Sequence, residues 1–210
     1  EILIGSIKNE KIIMIIEHVI DNKCEELIGP LIITPKKFSD SRGFFFESWN
    51  QNNFLEILKE FSDRRETIEF KQDNQSNSKK GVVRGLHYQT EPFGQDKLVS
   101  CISGELFDVL VDLRRNSKSF GRWASVIINP ENNKQIWIPK GFAHGFLALK
   151  DNTRIFYKTT NYWSKESEKT IFWNDPSIRI EWPLDKLVPI LSDKDNEAPK
   201  LNELTKSDFF

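Results

Sequence analysis

Sulfur and imidazole are scarce in this chain of 210 residues, which holds two cysteines, one methionine and three histidines. Cys24 and Cys101 allow at most one disulfide. Nothing else in the sequence points to secretion, so both are expected to stay reduced. No apolar run approaches the roughly 18 residues that a membrane helix needs, so no membrane partner is expected. The first residues show no basic segment followed by an apolar stretch, so no signal peptide is read and the expected compartment is the cytoplasm. Neither sign of charge is in excess: 30 Lys and Arg against 31 Asp and Glu leave a net charge of −1, without the basic footprint of a nucleic-acid binder. No repeat, low-complexity block or linker interrupts the chain.

What is present instead is rings and turns. Sixteen Phe and six Trp are spread among ten Gly and nine Pro, a composition of many short strands. Strand-like segments follow one another at intervals of about ten residues, the spacing of a sandwich or barrel. LIITP after Pro30 reads as a strand, KKFSDSRG as a polar turn, and GFFFESW as a strand with Arg42 and Glu47 bracketing three phenylalanines. That strand is either an edge with an aromatic face or a ring platform for a base or sugar. Asn50 to Phe61 is the clearest helix, because Phe54, Ile57, Leu58 and Phe61 make one apolar stripe and the Asn residues ahead of it can cap. Asp63–Glu66 is a charged loop. Thr67–Ser76 is a strand that puts Gln72 and Asn74 on one face, and Ser76–Lys80 is a turn. LVSCISGELFDVLVDLR gives two strands around Ser103-Gly104. In the second, Phe107, Val109, Val111 and Leu113 alternate with Asp108, Leu110 and Asp112, as if one face were inside and the other outside. Ser164–Lys169 reads as a loop, Ile171–Pro176 and Ile178–Pro183 as the end of the sheet, and APKLNEL as a short helix. Residues 1–29 form an added strand or arm, and 30–210 a single domain with core enough to fold alone.

Two stretches carry the candidate chemistry. Gly81 to Lys97 brings Arg84, His87 and Lys97 close together in sequence. Ile136 to Leu149 holds His144 between Gly141 and Gly145. One histidine in a Gly-punctuated apolar strand reads first as a core residue satisfied by a carbonyl. Two in the same setting, with a lysine and an arginine nearby, read as a site.

RGLHYQ, QDKLV, GELFDVLVDLR, IPKGFAHGF, YKTT and LSDKD occur in this order. With them the chain resembles the dTDP-4-dehydrorhamnose 3,5-epimerase family of the cupin superfamily, from about Pro30 to Leu204. The resemblance implies an all-β double-stranded β-helix, or jelly roll, and a homodimer that exchanges N-terminal strands. It implies epimerisation at C3 and C5 of a 4-keto-6-deoxy sugar carried on dTDP, on the way to dTDP-L-rhamnose and carbohydrates such as lipopolysaccharide. His87 looks like the general base, Tyr157 the general acid, and Asp195 the partner that orients His87. Lys97 and His144 look like the groups around the sugar C4 oxygen. Arg42, Glu47, Gln72, Asn74 and Arg84 look like nucleotide and phosphate contacts, with Glu168 and Lys194 at weaker binding positions. After YKTT the family usually reads Asp-Tyr-Tyr, where this chain has Asn161, Tyr162 and Trp163. Trp163 can stack in the binding site but offers no phenol.

No redox step is involved and no GxGxxG occurs, so no cofactor is expected. Nor is a metal, because Gly85 stands two residues before His87, where a metal-binding cupin would place a ligand. Competing readings are an epimerase acting at one carbon only or on a related sugar such as a GDP-heptose, a metal-dependent cupin oxygenase, and a non-catalytic sugar-nucleotide binding module.

Overall fold

A computed structural model describes residues 4–9, 12–62 and 67–210. Its strands are β1 (Ile4–Asn9), β2 (Ile12–Ile20), β3 (Glu26–Pro35), β4 (Phe38–Asp40), β5 (Gly43–Phe45), β6 (Gln72–Ser78), β7 (Val83–Gln89), β8 (Lys97–Ser103), β9 (Leu106–Asp112), β10 (Trp123–Ile128), β11 (Gln135–Ile138), β12 (Phe142–Ala148), β13 (Thr153–Thr159) and β14 (Glu168–Thr170). Two helices, α1 (Gln51–Phe61) and α2 (Asp193–Asn196), and two single turns of 3-10 helix complete it. The strands make a seven-stranded sheet in the order β1-β2-β3-β11-β8-β13-β6 and a five-stranded sheet in the order β10-β9-β12-β7-β14. The hairpin β4-β5 stands apart. This is the jelly roll expected of a cupin.

Side chains of both sheets meet in one core. Val99, Ile136 and Ile155 come from the seven-stranded sheet, and Leu110, Val126 and Phe146 from the five-stranded one. The other face of the larger sheet is covered by α1. Asn50 caps this helix by accepting from the N–H groups of Asn52 and Asn53, and Phe54, Ile57 and Leu58 are buried against Leu31, Leu98 and Trp137. Truncating Phe54 to Ala would cost about 3–5 kcal/mol by the usual cavity argument. The other face of the smaller sheet packs against the C-terminal segment through Ile171, Ile178, Ile180 and Phe210.

This layering corrects several sequence readings. β9 is buried on both faces: Leu106 and Leu110 point into the shared core, while Val109 and Val111 face the C-terminal segment. Asp108 and Asp112 are therefore fully buried instead of lying on an outer face. KKFSDSRG is partly a strand, with Ser41-Arg42 alone as the turn between β4 and β5, and the strand in GFFFESW stops at Phe45. β6 begins at Gln72, not Thr67, and runs on to Ser78. Glu168–Thr170, at the end of the expected loop, is an edge strand, whereas Ile171–Pro183 holds none. These apolar residues cover a sheet without joining it. The expected loop at 63–66 lies outside the described residues. β3 passes through Gly29 and Pro30 unbroken, so the arm and the domain share a strand.

β7 and β12 approach unusually closely. A Cβ on Gly85 would lie 2.6 Å from Gly145 Cα and 2.9 Å from His144 O, and one on Gly145 would lie 2.8 Å from Arg84 O. Gly85 also has φ +123°, a region that L side chains rarely adopt. The approach coincides with a shift in register between His144 and Phe146, and it leaves His87 and His144 directly paired across the two strands.

Candidate active site

A cavity of about 310 Å³ opens between the two sheets. The five-stranded sheet contributes His87 from β7 and His144 from β12, which pair in register. The seven-stranded sheet contributes Lys97, the first residue of β8, and Tyr157 from β13. Period-two alternation turns His144, Lys97 and Tyr157 inward.

Each histidine has its own carboxylate. His87 Nε2 lies 2.5 Å from Asp195 Oδ1, and His144 Nε2 lies 2.8 Å from Asp108 Oδ1. Burial works to raise the Asp195 pKa, but the hydrogen bond and charge of His87 outweigh it and hold the carboxyl below its ordinary value. Lys97 is buried, and its Nζ donates to His87 O at 3.4 Å. Burial pushes its ammonium down to about 8, against the opposing pull of Asp108 and Glu168. Tyr157 is shifted up, chiefly by burial, with Arg84 opposing and Glu168 adding to the effect. Its phenol therefore keeps its proton at neutral pH.

The mouth of the cavity is polar. Gln72 Nε2 donates to Asn74 Oδ1 at 2.8 Å, and Gln72 Oε1 accepts from the Trp163 N–H at 3.0 Å. Arg84 Nε donates to Ser78 Oγ at 3.2 Å. Glu168 lines the wall and pairs with Lys194 at 2.7 Å. Four of the expected residues do not line this cavity. Asp195 and Lys194, both on the short helix α2, reach it only through His87 and Glu168. Arg42 sits on the β4-β5 turn, exposed and bound to Asp40, and Glu47 accepts from the side chains of Asn50 and Asn53 at the start of α1. Among the described residues, no group of three or more His, Cys, Asp or Glu is gathered as a metal site.

A family profile described as dTDP-4-dehydrorhamnose 3,5-epimerase matches residues 25–203. The chain belongs to the dTDP-4-dehydrorhamnose 3,5-epimerase family. Within that family it is 50% identical over 185 residues to the dTDP-4-dehydrorhamnose 3,5-epimerase of Shigella flexneri, covering 88% of this chain and 96% of that one. It resembles the crystal structure of the Legionella pneumophila dTDP-6-deoxy-D-glucose-3,5-epimerase in complex with dTDP-4-keto-L-rhamnose, with a TM-score of 0.81 and 43% identity over 92% of this chain and 97% of that one. It also resembles a 3'-monoepimerase from Streptomyces bikiniensis in complex with dTDP-quinovose, with a TM-score of 0.76 and 32% identity over 83% of this chain and 84% of that one.

Two residues of this epimerase-family site escaped the sequence reading. Asp108 was visible only as one member of an alternating strand. Its signal was a carboxylate placed between Phe107 and Val109, which a buried strand tolerates only with a partner. Gln89, the last residue of RGLHYQ, is buried and holds the loop that carries Trp163. Its amide donates to Phe93 O at 2.7 Å and Tyr162 O at 3.1 Å and accepts from Ser164 N–H at 2.7 Å.

Proposed function

We propose that the protein epimerises C3 and C5 of a 4-keto-6-deoxy sugar carried on dTDP, converting dTDP-4-dehydro-6-deoxyglucose to dTDP-4-dehydrorhamnose. The observation that carries this reading is the placement of His87 and Tyr157 on opposing sheets of one cavity, with Lys97 and His144 beside them. A carbon beside a ketone gives up its proton only if the enolate is stabilised. The His87 nitrogen turned away from Asp195 takes that proton, a step worth about 10²–10⁴-fold for a positioned base. The Lys97 ammonium and the His144 imidazole meet the charge that develops on the C4 oxygen. Tyr157 returns a proton from the opposite face and is reloaded from solvent, while His87 releases to solvent the proton it took. The product is an isomer of the substrate, and no electron is gained or lost.

Gln72, Asn74, Arg84 and Trp163 at the mouth suit the nucleotide and its phosphates, with Glu168 and Lys194 at weaker binding positions. Arg42 and Glu47 are assigned to the site of a second copy, in a homodimer that exchanges N-terminal strands. The exposed rings of Phe44 and Phe45 beside Arg42 support that assignment. The dTDP-rhamnose pathway, a cytoplasmic location and a single domain that includes the whole of β3 complete the reading.

Proton NMR of the purified protein with dTDP-4-keto-6-deoxyglucose in D₂O tests the reaction. Deuterium is expected at both C3 and C5, with inversion at both. Exchange at one carbon would make the protein a monoepimerase, and none would remove the reading. Mixing Arg42→Ala with His87→Asn protein, once subunit exchange is verified, should restore part of the activity by assembling one intact site. Failure to do so would end the shared-site assignment.

A further inference from the structure

The base and its carboxylate come from segments far apart in the chain, His87 from β7 and Asp195 from the four-residue helix α2. The segment that carries α2 is tied down on both sides of the helix, before it to the sheet and after it to the segment that covers the sheet. Before it, Ile190 bridges to Val82, and Val83 N–H donates to Ile190 O at 2.9 Å. After it, Phe172 N–H donates to Pro199 O at 2.8 Å. Between these ties, two consecutive side chains of α2 reach the five-stranded sheet. Asp195 meets His87, and Lys194 Nζ meets Glu168 Oε2 at 2.7 Å. Glu168 lies on β14 opposite Gln89, and Thr170 of the same strand lies opposite His87. The hydrogen bond and the ion pair therefore close a ring: β7 to α2 through His87 and Asp195, along α2 to Lys194, and back to the sheet through Glu168. Glu168 is fixed from a further side, since it accepts a hydrogen bond from the Trp163 side chain.

An ion pair with Lys194 nearly half exposed, at 48%, adds little to stability. Its effect is on geometry. Asp195 is held from β7 twice, by His87 and by a backbone hydrogen bond from Gly85, but both meet one carboxylate. A short helix held at one side chain can turn about it, whereas one held at two cannot. We propose that Glu168 and Lys194 form a clasp that sets Asp195 on His87, so that both are positioning residues for proton removal, acting through α2. This rests on the reading of His87 as the base. It gives the two residues a task beyond touching the substrate. Misplacement of a reacting group by about 1 Å can cost on the order of 10²-fold in rate, so a modest drift of α2 would be visible in turnover.

The test compares Lys194→Met, Lys194→Arg, Glu168→Gln and the double variant Glu168→Gln/Lys194→Met with the native protein. The clasp predicts that Lys194→Met and Glu168→Gln each lower kcat about tenfold or more, with any lost substrate contact adding a rise in KM, while the affinity for dTDP alone stays within about twofold. The double variant should fall no further than the worse single one, since the clasp opens only once. Lys194→Arg keeps the pair and should recover most of kcat. An independent readout needs no turnover: the imidazole proton shared by His87 and Asp195, identified in NMR spectra by its loss in Asp195→Asn, should shift or broaden in Lys194→Met. If that resonance moves in a protein that epimerises nothing, the clasp stands and the proposed reaction falls. A KM that rises in the single variants with kcat unchanged would make both residues plain substrate contacts and overturn the clasp. So would native kcat or an unmoved resonance in Lys194→Met.

Discussion

The two histidine–carboxylate pairs use the same residue types in opposite surroundings. The His87 side chain is 32% exposed toward the cavity, and its carboxylate arrives from a short helix near the C-terminus. The His144 side chain is 10% exposed, and Asp108, on the neighbouring strand β9, is wholly buried. The second oxygen of Asp108 has no hydrogen-bond partner among the described residues. A buried carboxylate oxygen without a partner is costly. It is tolerated here because Lys97 is close enough for Asp108 to raise its pKa, so two buried charges stabilise each other. The difference separates two roles. An open pair that faces the cavity can accept and release a proton. A closed pair locked beside an ammonium supplies a fixed electrostatic field, which is what an enolate oxygen needs.

That division can be broken at the histidines, where the largest effect is expected. His87→Asn should abolish deuterium exchange at C3 and C5, a loss on the order of 10²–10⁴-fold, because no enolate forms. His144→Asn should slow the reaction but leave measurable exchange. Equal loss in both variants, read by NMR in D₂O, would erase the distinction. The carboxylates sharpen the comparison with a smaller effect. Asp195→Asn should lower kcat by about 10²-fold or more while the urea midpoint changes little, since an amide presents the wrong partner to the imidazole. Asp108→Asn should lower stability as well, by roughly 1–3 kcal/mol, because it leaves Lys97 and His144 short of a buried partner. Urea unfolding of the two variants side by side decides this. The smallest effect is a pH dependence. Burial favours the neutral amine, so Lys97 loses its charge from about pH 8 upward, not near the ordinary lysine value of about 10.4. If that charge stabilises the enolate, kcat/KM should fall about tenfold per pH unit above this point. Lys97→Arg, always charged, should be slower but lack this alkaline limb.

Much of this site could be read from the sequence because strands repeat every two residues. On β12 that period puts the Gly-flanked His144 on the inner face with Phe146, whereas on β7 the register shift breaks it: Arg84 and His87, three residues apart, both line the cavity while Val83 and Leu86 both face away. The helix at α1 was equally plain, since its apolar stripe has a single period and Asn50 stands at its cap. The layering could not be read in this way. Whether Val109 or Leu110 faces the core is a question with one answer in a one-sided sheet and none in β9, which is covered on both sides. Ile171–Pro183 has the apolar content of a strand, but it is used as a cover over the sheet. The geometry of Glu168 and Lys194 was hidden for a related reason, since a contact between an edge strand and a distant four-residue helix leaves no local periodicity. Arg42 shows the limit of a motif. Its neighbours suggest a binding role, yet among the described residues of one copy its side chain bonds to Asp40 alone.

The glycine pair between β7 and β12 has a consequence for anyone who randomises this protein. Gly85 and Gly145 have no room for a methyl group, and the nearest contact each would make is with backbone, which cannot swing aside. A saturation screen scored on turnover would rank both positions beside His87 and His144, although a glycine has no side chain with which to do chemistry. Single replacements would look lethal, and paired ones would not rescue each other, because each side chain would strike the opposite main chain. Scoring the same library for folded protein would separate the two kinds of intolerance. The glycines should drop out of that second screen, while Asn at position 87 should pass it.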